Sequence, residues 1–232
     1  MNKRDKGRGD PKKKALKKAR LMLVDDHPLV SRGLVALLRT TPDLEVCAEA
    51  RSAEETLQAL AKDVPDLLVL DISLPGTSGI ELLKDIHARY PNLRVIVFSV
   101  HEEHVYAERA LRAGAKGYIM KQAPGDEIIG AIRRVLADDM YVSSAVAARM
   151  LKLFVSDEHQ SPLRTGLETF GDRELQVFTH LGHGRSTKEI AGLLSLSPKT
   201  IQTYRESIKR KLGLKNATEL VHGAAQWVQT QN

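Results

Sequence analysis

The chain has 232 residues, 42% hydrophobic and 28% charged, enough for one large or two modest domains and too apolar for wholesale disorder. No apolar run approaches the roughly 18 residues of a membrane span, and no signal-peptide core follows the basic start, so a cytoplasmic protein with no membrane partner is expected. A single cysteine, Cys47, excludes an internal disulfide framework and is expected to be a small buried hydrophobe on the second strand.

The formal net charge of +6 is unevenly spread. Residues 1–20 carry ten Lys/Arg and two Asp, for +8; residues 21–163 come to −6, and residues 164–232 to +4. An acidic first domain followed by a basic second suits a cation site joined to a polyanion binder. The Lys-rich tail, residues 1–18, has almost nothing to bury, and disorder is its default. It reads either as extra nonspecific affinity for DNA or as a solvated extension.

Five short apolar runs follow, at Leu21–Val24, Glu45–Ala50, Leu67–Leu70, Val95–Phe98 and Gly117–Met120. Helical patterns fill the gaps near Pro28–Thr40, Ala53–Lys62, Gly79–Arg89, Glu102–Ala113 and Pro124–Ala137. Alternation of this size predicts an α/β domain, doubly wound and flavodoxin-like, with a five-stranded parallel sheet in the order 2-1-3-4-5. A helix over Ser143–Phe154 and a polar hinge at Ser156–Thr165 come next. The remainder predicts an all-α domain of four short capped helices. Gly171 opens the first, Ser186-Thr-Lys-Glu189 is a capping box for the second, Ser197-Pro198 starts the third, which stops at Gly213, and Asn216 caps the fourth. Helix, tight turn, helix is the pattern of a helix-turn-helix.

The strands of a parallel sheet end along one edge, where ligands bind. Here the first strand runs into Asp25-Asp26, the third into Asp71 and the fifth into Lys121. Crowded carboxylates call for a cation, and oxygen ligands favour a hard one such as Mg²⁺. The edge therefore reads as a site that accepts a phosphoryl group.

These motifs give a resemblance. Residues from Ala19 to about Asp138 resemble the receiver domain of bacterial two-component response regulators, and residues from about Leu167 onward resemble the helix-turn-helix output domain of the NarL/LuxR type. The implied division is a basic tail at 1–18, a receiver at 19–138, a linker with a helix at 139–166 and a DNA-binding domain at 167–232. Asp71 is then the phosphoacceptor, a carboxylate that forms an acyl phosphate. Mg²⁺ is held by Asp71, Asp26, the Ser73 carbonyl and, through water, Asp25, while Lys121 pairs with a phosphoryl oxygen. Pro75-Gly76 and Gly79 shape the loop after the acceptor. The resemblance also makes Ser99 and Tyr118 switch residues, the hydroxyl moving to the phosphoryl group and the ring following it. Many receivers have a cis-proline after the lysine, where this chain has Gln122.

His101-Glu-Glu-His104 is one residue short of the HExxH zinc pattern and reads instead as a polar helix start. In the third output helix Ile201, Tyr204, Ile208 and Leu212 form a core stripe, and Lys199, Gln202, Thr203, Glu206, Lys209 and Arg210 lie opposite it. Gln can read adenine, Thr can meet a thymine methyl, and basic groups suit phosphates. Lys188, Thr200, Tyr204 and Arg205 complete the expected DNA-binding set; Thr200 and Glu189 are more structural, and family members often have His in place of Tyr204. Leu220, Val221, Ala224, Trp227 and Val228 make an apolar stripe that serves either packing within the domain or a dimer interface.

The implied function is a phosphorylation-dependent transcriptional regulator rather than an enzyme. Its expected partners are a sensor histidine kinase, double-stranded DNA, a second copy when phosphorylated, and RNA polymerase. An aspartyl phosphatase of the haloacid-dehalogenase kind needs a second Asp two positions after the nucleophile, where this chain has Ser73. A receiver working without phosphate and a ligand-sensing regulator are the other readings; the intact acid set and the 4% aromatic content argue against them.

Overall fold

The computed structural model describes residues 18–101, 103–155 and 169–229. The basic tail before Lys18 and the hinge expected at Ser156–Thr165 lie outside them. The sheet strands are β1 Ala19–Val24, β2 Leu44–Ala50, β3 Leu67–Leu70, β4 Arg94–Ser99 and β5 Gly117–Met120. All are parallel, in the order β2-β1-β3-β4-β5. The helices between and after them are α1 Pro28–Arg39, α2 Ala53–Lys62, α3 Gly79–Arg89, α4 Glu103–Arg112 and α5 Gly125–Leu136, each within a residue or two of the expected span. The helix expected at Ser143–Phe154 is α6, Ser144–Val155.

Strand pleating divides the apolar residues between two cores. Leu21, Leu23, Leu67, Val69, Ile96, Phe98 and Ile119 face α1 and α5 through Leu34, Leu38, Ile128, Ile132 and Val135. Met22, Val24, Leu68, Leu70, Val95, Val97 and Tyr118 face the α3 and α4 side through Leu82, Leu83, Ile86, Tyr106 and Ala110. β3, inner to the sheet, is buried at every residue. Cys47 departs from expectation: it is exposed on the edge strand β2, where its neighbour β1 lies on one side only.

The output helices are α7 Asp172–Gly182, α8 Thr187–Leu193, α9 Pro198–Leu212 and α10 Ala217–Gln229. The expected caps form. Ser186 Oγ accepts from the Glu189 N–H, Ser197 Oγ from Thr200, and Asn216 Oδ1 from Glu219. Gly213 ends α9 at φ 67°, a left-handed C-cap that favours glycine.

α7 is buried from Asp172 through Leu181 because two bodies cover it. Phe178 stacks edge-on with Phe170 at 5.3 Å and lies 5.6 Å from Trp227. The other stripe of α7 is polar and meets the receiver. Arg173 Nη2 donates to the carbonyls of Leu74 and Thr77, at 2.6 and 3.2 Å. Asp172 pairs with Arg109 and Lys84, and Gln176 Nε2 lies 3.5 Å from His101 Nε2. The core on the α3/α4 side is continuous with that of the output domain.

His101 is therefore no solvated helix start. It is buried between the domains, 4.8 Å from the Tyr106 ring and 5.9 Å from the His180 ring. Burial, then repulsion from His180 and nearby cations, pushes its imidazole down to about 3. Burial and Arg185 push His180 down to about 4.

Two outcomes follow from this packing. A Cβ at Gly79 would sit 2.4 Å from Ile72 Cα and 2.5 Å from the Asp71 carbonyl oxygen, both backbone atoms. Gly79→Ala is expected to lower stability by about 1–3 kcal/mol, the usual cost of overpacking, in urea unfolding; a neutral result would contradict the close approach. Both histidines titrate near their ordinary pKa of about 6.5 when unfolded. Their depressed folded values mean that their contribution to stability is complete above that pH and is lost on acidification toward the folded values. Melting temperature should fall from about pH 7 to about pH 4 more steeply in the wild type than in His180→Gln, and equal slopes would contradict the assignment.

Candidate functional site

The ends of three strands are brought level by backbone hydrogen bonds: Asp25 N–H to Ala50, Asp71 N–H to Val24 and Lys121 N–H to Ser99. The side chains they carry converge. Lys121 Nζ lies 2.7 Å from Asp71 Oδ2 and 2.7 Å from Asp25 Oδ2, and the three side chains are only 4%, 1% and 6% exposed. Asp71 Oδ1 accepts from the Ser73 N–H at 2.9 Å, and Asp25 Oδ1 from the His27 N–H at 2.8 Å. Asp26 is nearer solvent, its Oδ1 2.9 Å from His27 Nδ1.

Burial pushes the Asp71 carboxyl above the ordinary carboxylate range, and Asp25 pushes the same way. The Lys121 charge, its hydrogen bond and the Ser73 amide pull back toward ionisation. Three acids thus share one buried lysine, which leaves the cluster short of positive charge. Ligand atoms of Asp25, Asp26, His27 and Asp71 all lie within 4.8 Å of one another, a spacing that could hold a metal ion. Asp25 Oδ2 and Asp26 Oδ1 sit at ion-pair distance from Lys121 and His27, yet neither makes an aligned hydrogen bond. Two buried carboxylate oxygens left with spare lone pairs fit a hard cation.

His27 was missed in the sequence, although it directly follows the acid pair; a lone histidine after two aspartates is an ordinary helix lead-in, and here it is also the N-cap of α1.

Ser99 and Tyr118 are both fully buried. They meet at His101 rather than at Asp71. The His101 N–H donates to Ser99 Oγ at 3.1 Å, and the Tyr118 hydroxyl donates to the His101 carbonyl at 2.9 Å. The Ser73 hydroxyl and His101 Nε2 are 2.9 Å apart. The bond after Lys121 is not cis; there are no cis peptide bonds among the described residues.

On α9 the expected division of faces is present. Ile201 and Ile208 are buried and Tyr204 and Leu212 half-buried, while Lys199, Gln202, Thr203, Glu206 and Arg210 are exposed. Lys209 is half-buried and pairs with Glu206 at 2.7 Å, and Gln202 also bonds Glu206. Thr200 and Arg205 are held within the domain, Thr200 by Ser197 and Arg205 by Thr187. Lys188 is exposed on α8. The α10 stripe divides: Leu220, Ala224 and Val228 pack inside, and Val221 is 39% exposed.

Residues 21–133 match the response regulator receiver domain, and residues 168–224 match the bacterial regulatory proteins of the luxR family. The response regulator GacA of Pseudomonas aeruginosa is 33% identical over 202 residues, 87% of this chain and 92% of that one. The oxygen regulatory protein NreC of Staphylococcus aureus is 33% identical over 208 residues, 88% of this chain and 96% of that one. Among solved structures, a LuxR-family two-component response regulator from Aurantimonas is 35% identical with a TM-score of 0.56, covering 60% of this chain and 100% of that one. RcsB from Salmonella enterica serovar Typhimurium, bound to the promoter rprA in the presence of phosphomimetic BeF₃⁻, is 25% identical with a TM-score of 0.58, covering 90% and 99%. With an acid-and-lysine edge on a 2-1-3-4-5 sheet and a capped helix-turn-helix behind it, the chain belongs to the two-component response regulators that join a receiver to a LuxR-type domain.

Proposed function

We propose that Asp71 accepts a phosphoryl group from a sensor histidine kinase and that its charge state governs how the output domain, residues 167–232, dimerises and binds double-stranded DNA in the cytoplasm. The observation that carries this reading is the buried Lys121 ammonium, 2.7 Å from the carboxylates of both Asp71 and Asp25.

In the reaction an Asp71 carboxylate oxygen bonds to phosphorus as the bond from phosphorus to the donor breaks. A histidine leaves when the donor is a kinase phosphohistidine, and acetate leaves when it is acetyl phosphate. The Ser73 amide orients the carboxylate through Oδ1. Lys121 exchanges its bond with Asp71 Oδ2 for one to a phosphoryl oxygen. Asp25, Asp26, Asp71 and the Ser73 carbonyl would hold Mg²⁺. Bound there, such an ion would supply positive charge to the phosphoryl oxygens. Ser99 is the hydroxyl nearest in kind to serve the new dianion, and Tyr118 is tied to the same stretch of backbone through His101.

For DNA, the support is the exposed face of α9 and the two families matched. Lys188, Lys199, Gln202, Thr203, Glu206, Lys209 and Arg210 are the side chains placed to meet a duplex, with Thr200, Tyr204 and Arg205 setting the helix in place. One such domain makes few phosphate contacts, so paired domains on paired half-sites give the affinity. RNA polymerase completes the partner set. Residues 139–166 link the domains.

Acetyl phosphate with Mg²⁺ should label the wild type with an acid-labile phosphoryl group and leave Asp71→Asn unlabelled; label on the variant would reject Asp71 as acceptor. DNA binding by the phosphorylated full chain should weaken steadily as salt rises, whereas salt-independent binding would reject α9 as a phosphate-contacting face.

A further inference from the structure

The acid edge offers a cation more than oxygen. His27 brings its imidazole to the carboxylates, with Nδ1 2.9 Å from Asp26 Oδ1, 3.3 Å from Asp25 Oδ1 and 3.9 Å from Asp71 Oδ2. Ligand atoms about 2.1 Å from a shared ion stand about 3.0 Å apart when adjacent and about 4.2 Å apart when opposite. The spacings around Nδ1 match that range, so the nitrogen stands where a fourth ligand would, beside three carboxylates. The ring has no part in starting the helix. His27 is the N-cap of α1, but its side chain makes no capping bond; Pro28 begins the helix, and the His27 N–H bonds to Asp25 Oδ1 at 2.8 Å. The backbone on both sides is thereby fixed, and the imidazole is left against the acids. Asp25 is divided in the same sense, Oδ2 going to Lys121 at 2.7 Å and Oδ1 turning to His27. The ring is 56% exposed, which leaves its second nitrogen able to carry the ring proton while Nδ1 binds an ion.

We propose that the acid edge binds a divalent first-row transition cation ahead of Mg²⁺, with His27 Nδ1 as the ligand that makes the difference. This inference rests on the reading of Asp25, Asp26 and Asp71 as a cation site. Mg²⁺ gives up its waters reluctantly and is served by oxygen, so an imidazole adds little to its binding. Three carboxylates alone suit Mg²⁺ or Mn²⁺, whereas an added imidazole favours the later ions of the row, Co²⁺, Ni²⁺ and Zn²⁺ among them. Such an ion would offset the negative charge that Lys121 leaves unbalanced before any phosphoryl group arrives.

The test is calorimetric titration of the unphosphorylated full chain with Co²⁺ and, separately, with Mg²⁺, each variant first shown by its unfolding transition to be folded. The wild type is expected to bind Co²⁺ more tightly than Mg²⁺. His27→Ala is expected to weaken Co²⁺ binding at least about ten-fold, no less than the loss of a group that merely supports a ligand, and to leave Mg²⁺ binding where it was. Should that variant fail to fold, His27→Phe keeps a flat ring without the nitrogen. A directly bound imidazole also gives a hyperfine-shifted N–H proton resonance with Co²⁺, expected in the wild type and missing from the His27 variant, a signature that a merely structural histidine does not produce. Co²⁺ and Mg²⁺ affinities that fall together, with no resonance lost, would overturn the nitrogen ligand and leave the cation site standing. Co²⁺ binding undiminished in Asp26→Asn would place the ion elsewhere among the chain's eight histidines and overturn the proposal. A wild type that binds neither ion would overturn the cation-site reading, and the proposal with it.

Discussion

The arrangement depends on one buried cation. Placing Asp25 and Asp71 at the inner end of a parallel sheet takes two carboxylates out of water, at a cost of several kcal/mol each when unpaired. Lys121 Nζ, 2.7 Å from both, offsets that cost and fixes where the three strand ends meet. It does so incompletely. Three acids against one lysine leave a negative remainder, with the His27 ring beside it on the solvent side. A cluster in that condition is a poor resting place for more negative charge and a good one for a hard cation, and with the cation it can take a phosphoryl group. Burial, with Asp25 pushing the same way, holds the Asp71 carboxyl above the ordinary carboxylate range in the resting protein.

From that cluster the chain of contacts leads outward without a gap. Ser73 joins the acceptor to His101, Ser99 and Tyr118 join the fourth and fifth strands to it, and Gln176 carries it into the output domain. Ser99, Tyr118, His101 and Gln176 are buried and Ser73 is half-buried, and an unpaired polar group in such a place is costly.

Much of this was legible in the sequence. The strand-end acids, Lys121, the output caps and the stripe on α9 are set by short-range rules of period, capping and strand termination, and the structure places the strand ends together as those rules require. The individual DNA contacts are not fixed by those rules: Arg205 bonds Thr187 within the domain, and Lys209 pairs with the exposed Glu206 along the same helix. The polar stripe Arg173, Gln176 and His180, spaced three and four apart, was not recognised. On its own it reads as a solvated helix face, and only the receiver beside it makes burial possible. His101 was misread for the same reason, as a polar helix start. Cys47 erred in the opposite direction, because strand order makes β2 an edge, and an edge strand exposes what an inner strand buries. Contacts between domains are tertiary facts with no local signature.

The central claim is that charge at Asp71 and docking of α7 are one equilibrium. Amide hydrogen exchange over Asp172–Gly182, followed in the full chain before and after treatment with acetyl phosphate and Mg²⁺, tests it most directly. The account predicts faster exchange in that helix after treatment of the wild type and no change in Asp71→Asn. Exchange in the helix that is the same before and after stoichiometric phosphorylation of Asp71 would contradict it.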